Sequence, residues 1–156
     1  MKVLGLASVN DAFEGLKQQG IGAIQPGAES AQSRLRRQII EWHKSNPQIA
    51  LHCFYDKPDA PPEFRHDNTL TFHRLDGEKF LRMMAECKYV ACTAGFESLS
   101  EAAWLGKPMF LVPVENHVEQ QINAIDATRL GLGVTETSAI CGLLLCHSMI
   151  CRRNRD

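Results

Sequence analysis

Residues 89–101 read Tyr-Val-Ala-Cys-Thr-Ala-Gly-Phe-Glu-Ser-Leu-Ser-Glu, and this stretch decides the fold. Tyr89–Thr93 is short and continuously apolar. It runs straight into Ala94-Gly95, and a helix is expected to start near Phe96–Ser98. A strand that is apolar at every position is buried on both faces, which is the habit of parallel sheets covered by helices.

The same unit repeats on either side. Downstream, Met109–Val112 is flanked by Pro108 and Pro113, and a helix is expected over 117–130, closed by Gly131. The helix over 97–105 is closed by Gly106 in the same way. Upstream, Val3–Val9 is a first strand, and Asn10 or Asp11 is placed to cap a following helix that Gly20 stops. Ile21–Gln25 is a short apolar segment broken by Pro26-Gly27. From Ser30, Leu35, Ile39, Trp42 and His43 recur at helical spacing until Asn46-Pro47. Residues 49–55 and 69–73 read as strands, with a polar, proline-rich surface loop between them. Residues 78–86 read as a helix with Phe80, Leu81 and Met84 inward. The alternation predicts an α/β fold, a parallel sheet with helices on both faces and its ligand at the carboxyl ends of the strands.

Composition agrees with one domain. The chain has 156 residues, 44% hydrophobic and 22% charged, near globular averages. Basic and acidic residues number 17 and 18, for a formal charge of −1, so no basic field favours nucleic acid. The longest apolar run, 139–151, falls short of the roughly 20 residues that span a bilayer. The first residues read as a strand rather than a signal peptide. The six cysteines form no C-x-x-C pair; free thiols in a reducing cytoplasm are expected. The histidines are scattered, so no metal is expected.

Two constellations carry chemistry. In the first, free N–H groups at a helix start suit a phosphate, Gly95 permits close approach, and Ser98 adds a hydroxyl. Glu101 lies three residues on, on the same side of the helix, where a carboxylate can accept both hydroxyls of a ribose. The pair Ser98 and Glu101 also fits simple capping. In the second, Glu119, Gln120 and Asn123 sit in the first turns of the next helix and suit sugar hydroxyls. A solvated helix face with Glu119 near the positive dipole end fits as well.

The run TAGFESLSE, then GKPMFLVPV, then EQQINA, then LGLGV resembles the C-terminal domain of GT-B glycosyltransferases. It is similar to the bacterial enzymes that add N-acetylglucosamine to the peptidoglycan lipid precursor, and to UDP-glycosyltransferases. The resemblance covers about residues 49–134. It implies a Rossmann-like domain, half of a GT-B fold, that binds a nucleotide-sugar donor, in the first place a UDP-sugar. It implies diphosphate contacts from Thr93, Gly95, Phe96 and Ser98, and a ribose contact from Glu101. Glu119, Gln120 and Asn123 would hold the donor sugar, and the stretch Leu75–Gly77, Leu75 foremost, would lie against the nucleobase. Transfer of a hexosyl or N-acetylhexosaminyl group would proceed without a bound metal or other cofactor. In the family the general base comes from the other domain; the local candidate for a catalytic group here is His117.

Departures are visible. Thr93 stands where plant relatives have a histidine. The glycine-rich loop after the first strand is absent, its place taken by Ala7-Ser8 or by Pro26-Gly27. The chain has room for one of the family's two domains, so an acceptor-binding domain or partner chain is expected. A sugar-nucleotide epimerase-like domain and a non-catalytic nucleotide-sugar-binding module are the alternatives. Residues 1–137 are assigned to the binding domain and 138–156 to a helical or irregular tail, whose Arg152, Arg153 and Arg155 allow at most peripheral membrane contact. A cytoplasmic location, with membrane association at most at that tail, is expected.

Overall fold

A computed structural model describes residues 2–7, 31–55, 57–114 and 116–135. In chain order its elements are β1 (Lys2–Ala7), α1 (Ala31–Lys44), β2 (Ala50–Tyr55), β3 (Glu63–Arg65), β4 (Leu70–Arg74) and α2 (Gly77–Glu86). They continue with β5 (Tyr89–Cys92), α3 (Phe96–Trp104), β6 (Met109–Leu111), α4 (Val118–Arg129) and β7 (Gly133–Thr135). The expected features at residues 8–30 and in the tail from 136 lie outside the described residues.

The strands form one seven-stranded sheet in the order β3-β4-β2-β1-β5-β6-β7. Every neighbouring pair is parallel except β3 with β4. The chain builds outward from β1 to β2 and β4, then returns to β5 on the other side of β1. The order of connection reverses between β1 and β5, and such a reversal opens a crevice above the strands' carboxyl ends.

Both faces of the sheet are buried, as the apolar strands require. Along β5, Tyr89 and Ala91 join Ile39, Trp42, Leu51, Phe72 and Phe110 on the α1 side. Val90 and Cys92 join Phe80, Met84, Ala102, Met109, Leu111 and Ala124 on the side of α2, α3 and α4. The period of two thus divides a single apolar run between two cores. Burial pushes the thiols of Cys53 and Cys92 up to about 12, which makes them small inert hydrophobes.

Two expectations need correction. The loop between β2 and β4 contains β3, a short antiparallel edge strand. Phe64 faces Phe72 in its register, and the Arg36 guanidinium lies over both rings, at 4.9 and 5.0 Å from their centroids. Three exposed residues in proline-rich surroundings give no periodic signal, so tertiary packing makes this strand. Leu81 was expected inward but is 41% exposed. Phe80 and Met84, one turn apart, take the inward face of α2; Leu81 lies about 100° round the helix and opens onto a shallow groove beside Trp104.

Among the described residues no helix is long and apolar enough to cross a membrane.

Candidate functional site

Three helices start at the carboxyl edge of the sheet, and their first turns face one cleft. The cleft encloses about 560 Å³. Its walls are Leu75, Gly77 and Phe80 from the β4–α2 turn and α2, then Thr93, Gly95, Phe96, Glu97, Ser98 and Glu101 from the β5–α3 turn and α3. His117, Glu119 and Gln120 complete it from the start of α4. Residues from three separated stretches of sequence therefore meet where the connection order points.

The β5–α3 turn is open to a ligand. Gly95 caps α3 with an extended backbone and no side-chain cap. The first helical bond runs from Leu99 N to Gly95 O at 3.1 Å, so the N–H groups of Phe96, Glu97 and Ser98 precede the ladder. Unused N–H groups and the positive dipole end favour an anion there. Ser98 is half-buried and Glu101 exposed, which leaves hydroxyl and carboxylate accessible from the cleft. The capping alternative for this pair finds no support in the helix start.

The other two helix starts are capped by side chains. The Asp76 carboxylate accepts from Lys79 N at 2.9 Å at the start of α2. At α4, Gln120 N donates to His117 Nδ1 at 3.4 Å. An imidazole that accepts at Nδ1 carries its proton on Nε2, so His117 presents a donor to the cleft in that state. Among the described residues lining the cleft there is no Lys or Arg, so the helix starts are what it offers an anion.

The first turns of α4 also brace the two loops. Gln120 is 2% exposed, and its Oε1 accepts from Val114 N at 2.9 Å. Asn123 Nδ2 donates to Ala94 O at 3.0 Å. Thr93, Gly95, Phe96, Ser98, Glu101, Glu119, Gln120, His117 and Leu75, all singled out in the sequence, line the cleft; Asn123 does not. Its amide nitrogen is directed at the β5–α3 turn. Sequence reasoning passed over Phe80 and Glu97 as site residues. Glu97 sits in the quoted motif and was legible there as a first-turn carboxylate; Phe80 was read only as core.

No curated protein matches the chain. Among solved structures, the chain is similar to the glycosyltransferase of kitacinnamycin, with 16% identity and a TM-score of 0.62, over 92% of this chain and 33% of that one. It is similar to the glycosyltransferase SnogD from Streptomyces nogalater, with 12% identity and a TM-score of 0.55, over 90% and 31%. It is also similar to the spinosyn rhamnosyltransferase SpnG in complex with thymidine diphosphate, with 13% identity and a TM-score of 0.55, over 90% and 33%. The chain thus spans about a third of the length of each of these GT-B enzymes, and at these identities the likeness is one of fold. The family profile described as glycosyl transferase family 1 matches residues 49–142, which take in the whole of the described cleft and more than half of the sequence, and the chain belongs to that family.

Proposed function

We propose that this chain is the nucleotide-sugar-binding half of a glycosyltransferase. The observation that carries the reading is the meeting of three helix starts on one cleft at the reversal of the sheet. A nucleoside diphosphate would lie with its phosphates on the N–H groups of α3, beside Thr93, Gly95, Phe96 and Ser98. The ribose would reach Glu101, and the base would rest against Leu75, Gly77 and Phe80. Glu119 and Gln120 would hold the sugar.

In the transfer, the acceptor oxygen bonds to the anomeric carbon as the bond from that carbon to the diphosphate breaks. Helix ends and the Ser98 hydroxyl oppose the charge that builds on the leaving diphosphate. No bound metal is invoked for this step. The proton of the acceptor hydroxyl goes to a base. His117, with its proton on Nε2, suits hydrogen bonding to a phosphate or sugar oxygen better than proton removal. We assign the base to an acceptor-binding domain or partner chain, a role consistent with the third of a GT-B enzyme that this chain spans. UDP is the nucleotide placed first, from the resemblance to the peptidoglycan-precursor enzymes. Thymidine diphosphate is the competitor, since SpnG is seen with it. The reading is of a cytoplasmic protein.

Calorimetry with UDP-, GDP- and dTDP-sugars tests the proposal. One nucleotide class should bind, and Glu101→Ala should weaken it by at least tenfold, the scale of lost hydrogen bonds to a charged group. A folded chain that binds none of the three sinks the reading.

A further inference from the structure

We propose that Asn123 is a positioning residue that sets the orientation of the Ala94–Gly95 peptide, and through it the N–H of Gly95 at the diphosphate position. The proposal rests on the donor-site reading above and replaces the sugar contact expected for Asn123 from resemblance.

The geometry is local and specific. Asn123 Nδ2 holds the Ala94 carbonyl at 3.0 Å across 29 residues of sequence. Ala94 and Ala124, on either side of this bond, are 0% and 1% exposed, so helix and turn are packed against each other where it forms. Gly95 lines the cleft and Asn123 does not. In a trans peptide the C=O and N–H point to opposite sides. A carbonyl anchored on α4 therefore turns the Gly95 N–H away from Asn123, toward the open side that Gly95 shares with the cleft.

A lock is needed because Gly95 has no Cβ to restrict the backbone. The same freedom that lets a phosphate approach lets the peptide turn over. Turned over, it would present the Ala94 oxygen to the phosphate in place of an N–H, exchanging an attraction for a repulsion at the point of highest charge. The Asn123 amide gives the turn one orientation before any ligand arrives, as preorganised donors require.

The test is an NMR titration of the full chain with UDP, thymidine diphosphate, their glucose conjugates UDP-glucose and dTDP-glucose, and the nucleosides uridine and thymidine, which reads weak binding as well as strong. Asn123→Ala removes the donor, and Asn123→Asp keeps the size but sets a carboxylate against the carbonyl. Both should bind the nucleoside diphosphate about tenfold more weakly, the scale of one hydrogen bond to an ion, with nucleoside binding unchanged. In each variant the backbone amide signals of residues 94–98 should move, Gly95 most. In the wild type the Gly95 amide should shift on diphosphate binding, a readout that needs no variant to fold.

Equal losses for nucleoside and diphosphate, with a lowered melting temperature, would make Asn123 a general packing residue and overturn the proposal. A loss seen only with the nucleotide-sugar would restore the sugar contact and overturn it too. If the wild type binds no nucleotide, the donor-site reading fails separately. The Gly95 amide then still decides: a shift confined to 94–98 in the variants upholds the orientation, and an unmoved signal ends it.

Discussion

His73 is 2% exposed and held between rings. It stacks on Phe54 at 4.7 Å and on His52 at 5.1 Å, and its Nε2 lies 2.9 Å from His52 Nδ1. Its Nδ1 is 3.5 Å from a Glu63 oxygen, which Lys79 Nζ engages at 2.8 Å. Burial, then the charges of Lys79 and His52, lower the imidazole from 6.5 to about 4, against the pull of Glu63. Between those values the unfolded chain binds a proton that the folded chain refuses, so stability falls as pH drops from about 6.5 to about 4. Glu63, lowered first by its hydrogen bond from Lys79, adds a loss of the same sign at more acid pH. We expect the melting temperature to decline across the upper window, and His73→Phe, which keeps the stacking, to flatten that decline in calorimetric scans. Residues such as Ser98 and Glu101 were readable because their spacing is local to one helix. The histidine pair was not, since 21 residues separate its members and only the β2–β4 register joins them.

At the scale of elements, two contacts hold the sheet and helices in the register the cleft needs. Lys107 Nζ donates to Ala85 O at 2.7 Å and to Cys87 O at 2.9 Å, a cation on the carbonyls that end α2. This ties the helix whose start bears Gly77 and Phe80 to the chain that enters β6. Lys107→Met should cost about 1–2 kcal/mol, read as a lower denaturation midpoint with unchanged slope. β7 approaches β6 closely: a Cβ on Gly133 would lie 2.4 Å from Met109 O. Gly133→Ala must push strands apart, and we expect it to cost about 1–3 kcal/mol by the same measurement. Gly131 illustrates the readable side of this scale. Its φ of 71° is the left-handed conformation that ends α4, and a glycine after a periodic run announces such an end. Strand β3 was illegible because the partners of its Phe64, Phe72 and the Arg36 cation, come from two other elements.

For the whole molecule, binding and catalysis are expected to separate. A nucleotide that binds only the folded state raises stability by mass action, by about 2.7 kcal/mol at a hundredfold excess over Kd. Thermal shift should show this rise for the preferred nucleotide and lose it in Glu101→Ala. The chain alone should bind donor yet transfer no sugar to an acceptor until the acceptor-binding part is added; transfer by the isolated chain would place the base within it. By itself, the sequence determined the alternation of strand and helix, the burial of the sheet on both faces, and most of the residues in the turns that line the cleft. These are properties of short windows, where periodicity, proline and glycine report local conformation. The tertiary structure alone decided that three helix starts share one cleft, that Asn123 faces a carbonyl instead of the cleft, and that an antiparallel strand closes one edge. Those outcomes depend on strand order and register, and contacts between distant segments leave no periodic trace in the chain.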